Sequence, residues 1–126
     1  MKKVSLVFCV ACGALWLLSF MIRPAAAASP LHVTFHKAVD LLEDPAEGVR
    51  QLLKVKGITR ILTSGGKPTA KEGKCMIREM IKESGDKIII LVAGKVTSEN
   101  VGEIRRLTGA SEFHGRKIVG ELSQGY

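Results

Sequence analysis

At 126 residues the chain is the size of one domain, and with 5% aromatics any core must rest on Val, Ile, Leu, Ala and Met. Three cysteines, Cys9, Cys12 and Cys75, are an odd count and exclude a disulfide framework. The net charge is +7, but Lys2, Lys3 and Arg23 belong to an N-terminal segment without acids, and the remaining excess is mild and dispersed. A dispersed excess suits a solvated helical surface; it excludes a nucleic-acid module, and no nucleic-acid partner is expected.

The first 28 residues differ from the rest. Met1-Lys2-Lys3 is cationic, residues 4–22 are nearly continuously apolar, and Arg23-Pro24 and a run of four alanines follow. These are the parts of a secretory signal peptide, with Ala26-x-Ala28 as a cleavage site before Ser29. The apolar stretch also has the length of a single membrane span, so the membrane is a partner only where this leader is retained. Cys9 and Cys12 form a CxxC inside it without a second ligand pair, and read as small apolar residues. The chain therefore divides into a leader, 1–28, and a folded unit, 29–126.

The body alternates strand and helix. A strand is predicted over 31–36. Asp44-Pro45-x-Glu47 then opens a helix, with Asp44 as the N-cap and Pro45 in the first turn. Ala46, Val49, Leu52 and Leu53 keep helical spacing, and Gly57 is placed to end it. A second strand is predicted over 59–63. Thr69-Ala70-Lys71-Glu72 reads as a capping box, preceded by Pro68. Gly73, Met76, Ile77, Met80 and Ile81 form one buried stripe behind it, and Gly85 closes the helix. Residues 87–92 form a continuous apolar run, as a strand covered on both faces requires. Thr97 or Ser98 caps a third helix with Val101, Ile104 and Leu107 inward, ending near Gly109. A fourth strand is predicted over 111–114.

This β-α-β-α-β-α-β order predicts an α/β fold with about four parallel strands and three helices joined by right-handed crossovers. The repeat lengths suit part of a (β/α)8 TIM-type barrel, which is complete only at ~250 residues. Four strands leave two open edges and an uncovered inner face, so the unit is expected to self-associate as a homo-oligomer or to aggregate.

Three polar clusters close the apolar runs: Val33-Thr34-Phe35-His36-Lys37-Ala38-Val39-Asp40, Arg60-Ile61-Leu62-Thr63-Ser64-Gly65-Gly66, and Ala110-Ser111-Glu112-Phe113-His114-Gly115. In this order, with Glu72-Gly73 and Ala93-Gly94-Lys95-Val96 between them, they resemble the CutC family, the so-called copper homeostasis proteins. Its pattern runs roughly VTFHRAFD, LTSGG with EG downstream, GGGV and EFH. The resemblance covers about residues 31 to 119, the C-terminal half of the family pattern. Met21-Ile22-Arg23-Pro24 is also similar to a MIRPR of an earlier family strand, so the leader is alternatively a rearranged remnant. Two departures stand out. Lys95 replaces the family's third glycine, and Lys37 replaces an arginine, keeping charge without the bidentate fork.

The resemblance implies a TIM-type barrel, a cytoplasmic location, and copper homeostasis or copper binding. The alternatives are a phosphate-binding barrel enzyme acting on a small anionic metabolite, and an inactive truncated copy; export or membrane attachment through residues 1–28 is the alternative location. Barrel chemistry sits at the C-terminal strand ends. There stand His36, Thr63, Ser64, Gly65, Gly66, Gly94 and Lys95, which are expected to bind a ligand, with an anion held by the turn amides and Lys95. Glu112 and His114, two apart on one strand, share a face and form a candidate catalytic acid/base pair. The alternative is Glu112 bonded to Lys or backbone inside a polar barrel layer. His36 and His114 are the imidazoles nearest to any bound copper ion. His32 and His36 are ~13 Å apart along one strand and do not share a metal. Cys75, beside Met76 on a helix, reads as a small apolar residue.

Overall fold

The computed structural model describes residues 5–9 and 32–119. Among them are strands β1 (Ser5–Cys9), β2 (His32–His36), β3 (Ile58–Thr63), β4 (Ile89–Val92) and β5 (Glu112–Phe113). The helices are α1 (Pro45–Leu52), α2 (Lys74–Ser84) and α3 (Val101–Thr108), with a 3-10 turn at Ala38–Leu41. All strands are parallel and their spatial order follows the chain, β1-β2-β3-β4-β5. Each new strand adds on the same side. A doubly wound sheet would reverse its order; a strictly sequential order is an arc of a (β/α)8 barrel.

The expected four strands become five. Residues 5–9, part of the apolar leader, pair with β2 in the register Ser5↔His32 to Cys9↔His36. Part of the apolar leader is thus a strand of the sheet. Cys12, Met21 to Pro24 and the Ala26-x-Ala28 site lie outside the described residues. No helix among the described residues is long and apolar enough to cross a membrane.

Strand alternation separates two faces. Val33, Phe35, Ile61, Ile90 and Val92 join Val49, Leu52, Ile77, Met80 and Ile104 in one buried cluster between sheet and helices. Each fully buried Leu, Ile or Met contributes about 1.5–3 kcal/mol. On the opposite face of the sheet stand His32, Thr34, His36, Arg60, Leu62, Ile89, Leu91 and Glu112. Thr59 is an extra residue between the pairs Val33↔Ile58 and Thr34↔Arg60. This bulge sets Arg60 opposite Thr34, on the inner face.

The helix boundaries differ from expectation for local reasons. Asp44 does cap α1, its carboxylate accepting from the Ala46 amide at 3.0 Å. That helix stops at Leu52 rather than near Gly57, because the amides of Lys54 and Val55 bond three residues back, tightening the last turn. Thr69 accepts from the Glu72 amide at 3.2 Å, half of the expected capping box, yet α2 begins only at Lys74. The intervening turn is held against the end of β3. At α3 neither Thr97 nor Ser98 is the N-cap; the helix starts after Asn100.

A candidate functional site at the strand ends

The turn after β3 is organised by Asp40, for which no local pattern in the sequence indicates a role. The 3-10 turn after β2 brings its carboxylate over residues 63–66. Oδ2 accepts from the Ser64 amide at 2.9 Å, and Oδ1 from the Gly66 amide at 3.0 Å. The Thr63 hydroxyl donates to Oδ1, and the Ser64 hydroxyl stands 3.0 Å from Oδ2. Lys37 Nζ stands 4.0 Å from the same carboxylate. The Gly65 amide is bonded to Thr63 Oγ1 at 2.9 Å. A carboxylate seated in a row of amides is an internal version of anion capture.

This changes the expected ligand set. The amides of Ser64, Gly65 and Gly66 all have partners within the chain. Thr63 and Ser64 are buried at 0% and 1% exposure, and Thr63 turns to the helix layer, 3.6 Å from Met80 Sδ. An anion is therefore not offered these amides while Asp40 holds them. The positions predicted for the strand ends are there, but Thr63, Ser64 and Gly65 build the end of the sheet rather than line its mouth.

Glu112 is also engaged. Arg60 Nε and Nη2 donate to its two carboxylate oxygens at 2.7 and 3.1 Å, across the intervening strand β4. This bidentate fork is a strong ion-pair geometry. The Glu112 carboxylate holds the Arg60 guanidinium above its ordinary range, outweighing the opposing effect of burial. The polar-layer reading of Glu112 is thus the geometry found, with Arg60 as the partner. The signal in the sequence is a lone arginine inside an apolar strand.

The register Leu62↔His36, Leu62↔Leu91 and Leu91↔Glu112 places His36 in one row with Glu112, three strands apart, or ~14 Å across the sheet. His114 lies one layer beyond. His36 and His114 therefore share the strand-end side of the sheet without converging on one ion. Among the described residues no group of three His, Cys, Asp or Glu side chains is placed to hold a metal. Cys75 is exposed on α2.

Other predicted residues do come together. Beyond β4 and β5 a cavity of about 450 Å³ is lined by Gly94, Lys95, His114, Gly115, Arg116 and Lys117, with Ala93, Val96 and Thr97 behind them. Its wall is held by a parallel bridge between Thr97 and Lys117 and by the Ser98 amide donating to the Lys117 carbonyl at 2.9 Å. Asn100, also missed, ties the loop: its Oδ1 accepts from the Thr97 amide and its Nδ2 donates to the Lys95 carbonyl, both at 2.8 Å. Lys95 has φ 53°, the left-handed region that favours glycine. Glycine is the residue the family resemblance expects at that position.

The chain matches the CutC family over residues 18–119. It belongs to the CutC family. The match takes in the Met21-Ile22-Arg23-Pro24 tetrapeptide upstream of the body. A CutC family protein of Mesorhizobium japonicum is 43% identical over 88 residues, which are 70% of this chain and 34% of that relative. The human copper homeostasis protein cutC homolog is 38% identical over 89 residues, 71% of this chain and 32% of that protein. The crystal structure of the CutC protein from Streptococcus agalactiae superposes with a TM-score of 0.71 at 30% identity, covering 80% of this chain and 50% of that one. The chain thus spans about a third of the length of these curated relatives.

Proposed function

We propose that this chain serves copper homeostasis in the cytoplasm as a CutC-type partial barrel, with the C-terminal strand ends as its ligand-facing side. The family match carries this reading, because the matched relatives include proteins named for copper homeostasis and the strand-end motifs Val33–His36, Leu62–Gly66 and Glu112–His114 are present in this chain. Copper is here the cargo, and His36 and His114 are separate imidazole donors on that side, each suited to copper. Titration with Cu(I) and Cu(II) tests this. The double variant His36→Ala/His114→Ala is expected to weaken copper binding at least tenfold, while Cys75→Ala leaves it within twofold. Loss with Cys75→Ala alone would place the metal on the helix layer instead.

The sheet also predicts an assembly. Among the described residues, β1 and β5 are edge strands with unpaired backbone groups on their outer sides. The 126-residue chain alone is expected to associate through these edges. Light scattering that returned a sharp monomer with a cooperative melt would refute this.

A further inference from the structure

We propose that the cavity beyond β4 and β5 is a binding site for a small phosphate-bearing molecule, held by Lys95, Arg116 and Lys117 rather than by the Ser64–Gly66 turn. The inference builds on the strand-end reading above and names the ligand class for one part of that face. Three observations carry it. The cavity, about 450 Å³, has room for more than a bare anion. Among the described residues its lining holds Lys95, Arg116, Lys117 and His114 and no Asp or Glu. Among the described residues, Lys37 is paired with Asp40 and Lys71 with Glu103, whereas none of the three cations round the cavity, Lys95, Arg116 and Lys117, stands in an ion pair. Like charges gathered round one concavity repel one another, and an anion between them relieves that repulsion.

Lys95 sharpens the argument. A side chain at φ 53° is strained, and glycine at that position would not be. Of the two non-glycine residues at positive φ among the described residues, Lys37 and Lys95, it is Lys95 that lines the cavity. Arg116 supplies the planar fork that suits phosphate oxygens, and Lys95 and Lys117 supply point charges. By contrast the neighbouring Ser64–Gly66 turn, the more obvious anion cradle, has its amides already bonded, those of Ser64 and Gly66 to Asp40 and that of Gly65 to Thr63.

The test is NMR titration of the full chain with inorganic phosphate, and separately with glycerol 3-phosphate, at constant ionic strength. Saturable shifts are expected at the amides of Gly94, Lys95, Gly115, Arg116 and Lys117. Tighter binding of the ester than of free phosphate assigns an organic phosphomonoester; equal affinity assigns phosphate itself, and either supports the site. Lys95→Gly is expected to weaken binding at least tenfold while raising the urea midpoint of the ligand-free protein, so that affinity and stability move in opposite directions. Arg116→Gln/Lys117→Gln is expected to weaken binding more than tenfold. Lys82→Gln/Lys87→Gln, which removes the same charge at sites outside the cavity lining, should leave affinity within twofold. Absence of saturable shifts, equal loss in this control pair, or shifts centred on Ser64–Gly66 would overturn the proposal. Copper titration of the same variants separates the two readings: loss of the copper response alone leaves the phosphate site standing.

Discussion

Gly73→Ala is expected to destabilise the protein by about 3 kcal/mol or more, a large fraction of the stability of a small domain. A Cβ at this position would lie 1.9 Å from the Ser64 carbonyl oxygen and 2.9 Å from its carbon. Both are backbone atoms, so no rotamer change relieves the overlap. Across the same contact, a Cβ on Gly65 would lie 2.4 Å from the Gly73 carbonyl oxygen. The start of α2 and the end of β3 therefore meet backbone to backbone. To admit a methyl group, α2 must withdraw from the sheet, taking with it the fully buried Ile77 and Met80. Gly102→Ala is the matched control. Gly102 lies within α3, nothing stands within 4 Å of its Cβ position, and alanine there is expected to stabilise by about 0.5–1 kcal/mol. Urea unfolding of the two variants measures the contrast. A Gly73→Ala variant within 0.5 kcal/mol of the parent would show that the two turns are not in contact.

The same glycine shows what can be read from a sequence and what cannot. Periodicity correctly put Gly73 at the head of an apolar stripe, with Ile77 and Met80 buried behind it. It said nothing of why the stripe starts with glycine, because the atom that excludes a side chain belongs to residue 64. Local signals served well where the cause is local: Asp44 capping α1 and the alternation of apolar runs that sets sheet and helices. The partial-barrel fold was legible from element order and repeat length. The fifth strand was not, since an apolar run before a small-residue cluster satisfies the pattern of a leader as well as that of a buried strand. At the site, the face was legible and its wiring was not. Lys95, Gly94 and His114 do come together round one cavity. Thr63, Ser64 and Gly66, chosen for their hydroxyls and amides, are consumed by Asp40, Gly65 by Thr63, and Glu112 by Arg60. Asp40 comes from the turn after β2 and Arg60 from within β3, and one sequence records no pairing across 24 or 52 residues.

Asp40→Ala is the second large effect expected, and it carries a signature beyond lost stability. The carboxylate serves two backbone amides and two hydroxyls at the end of β3. Hydrogen bonds to a charged group contribute about 1.5–3 kcal/mol each, but they are not additive and Gly66 is exposed to water. A net loss of about 2–4 kcal/mol follows from those partners that stay buried. Asn at the same position keeps the shape but turns an amide N–H₂ toward one of the two amide donors, so Asp40→Asn should recover only part of the loss. The emptied cradle then behaves as a site for an external anion. Acetate or formate, which reproduce the missing carboxylate, should restabilise Asp40→Ala and leave the parent unchanged at equal ionic strength. The gain grows as RT ln(1 + [L]/Kd), about 1.4 kcal/mol at ten times Kd. Thermal melts of both proteins in acetate and in chloride distinguish this from a general salt effect. A variant that loses stability and gains none from acetate would show that Asp40 acts through the placement of its own 3-10 turn, and not as the anion that orders the end of β3.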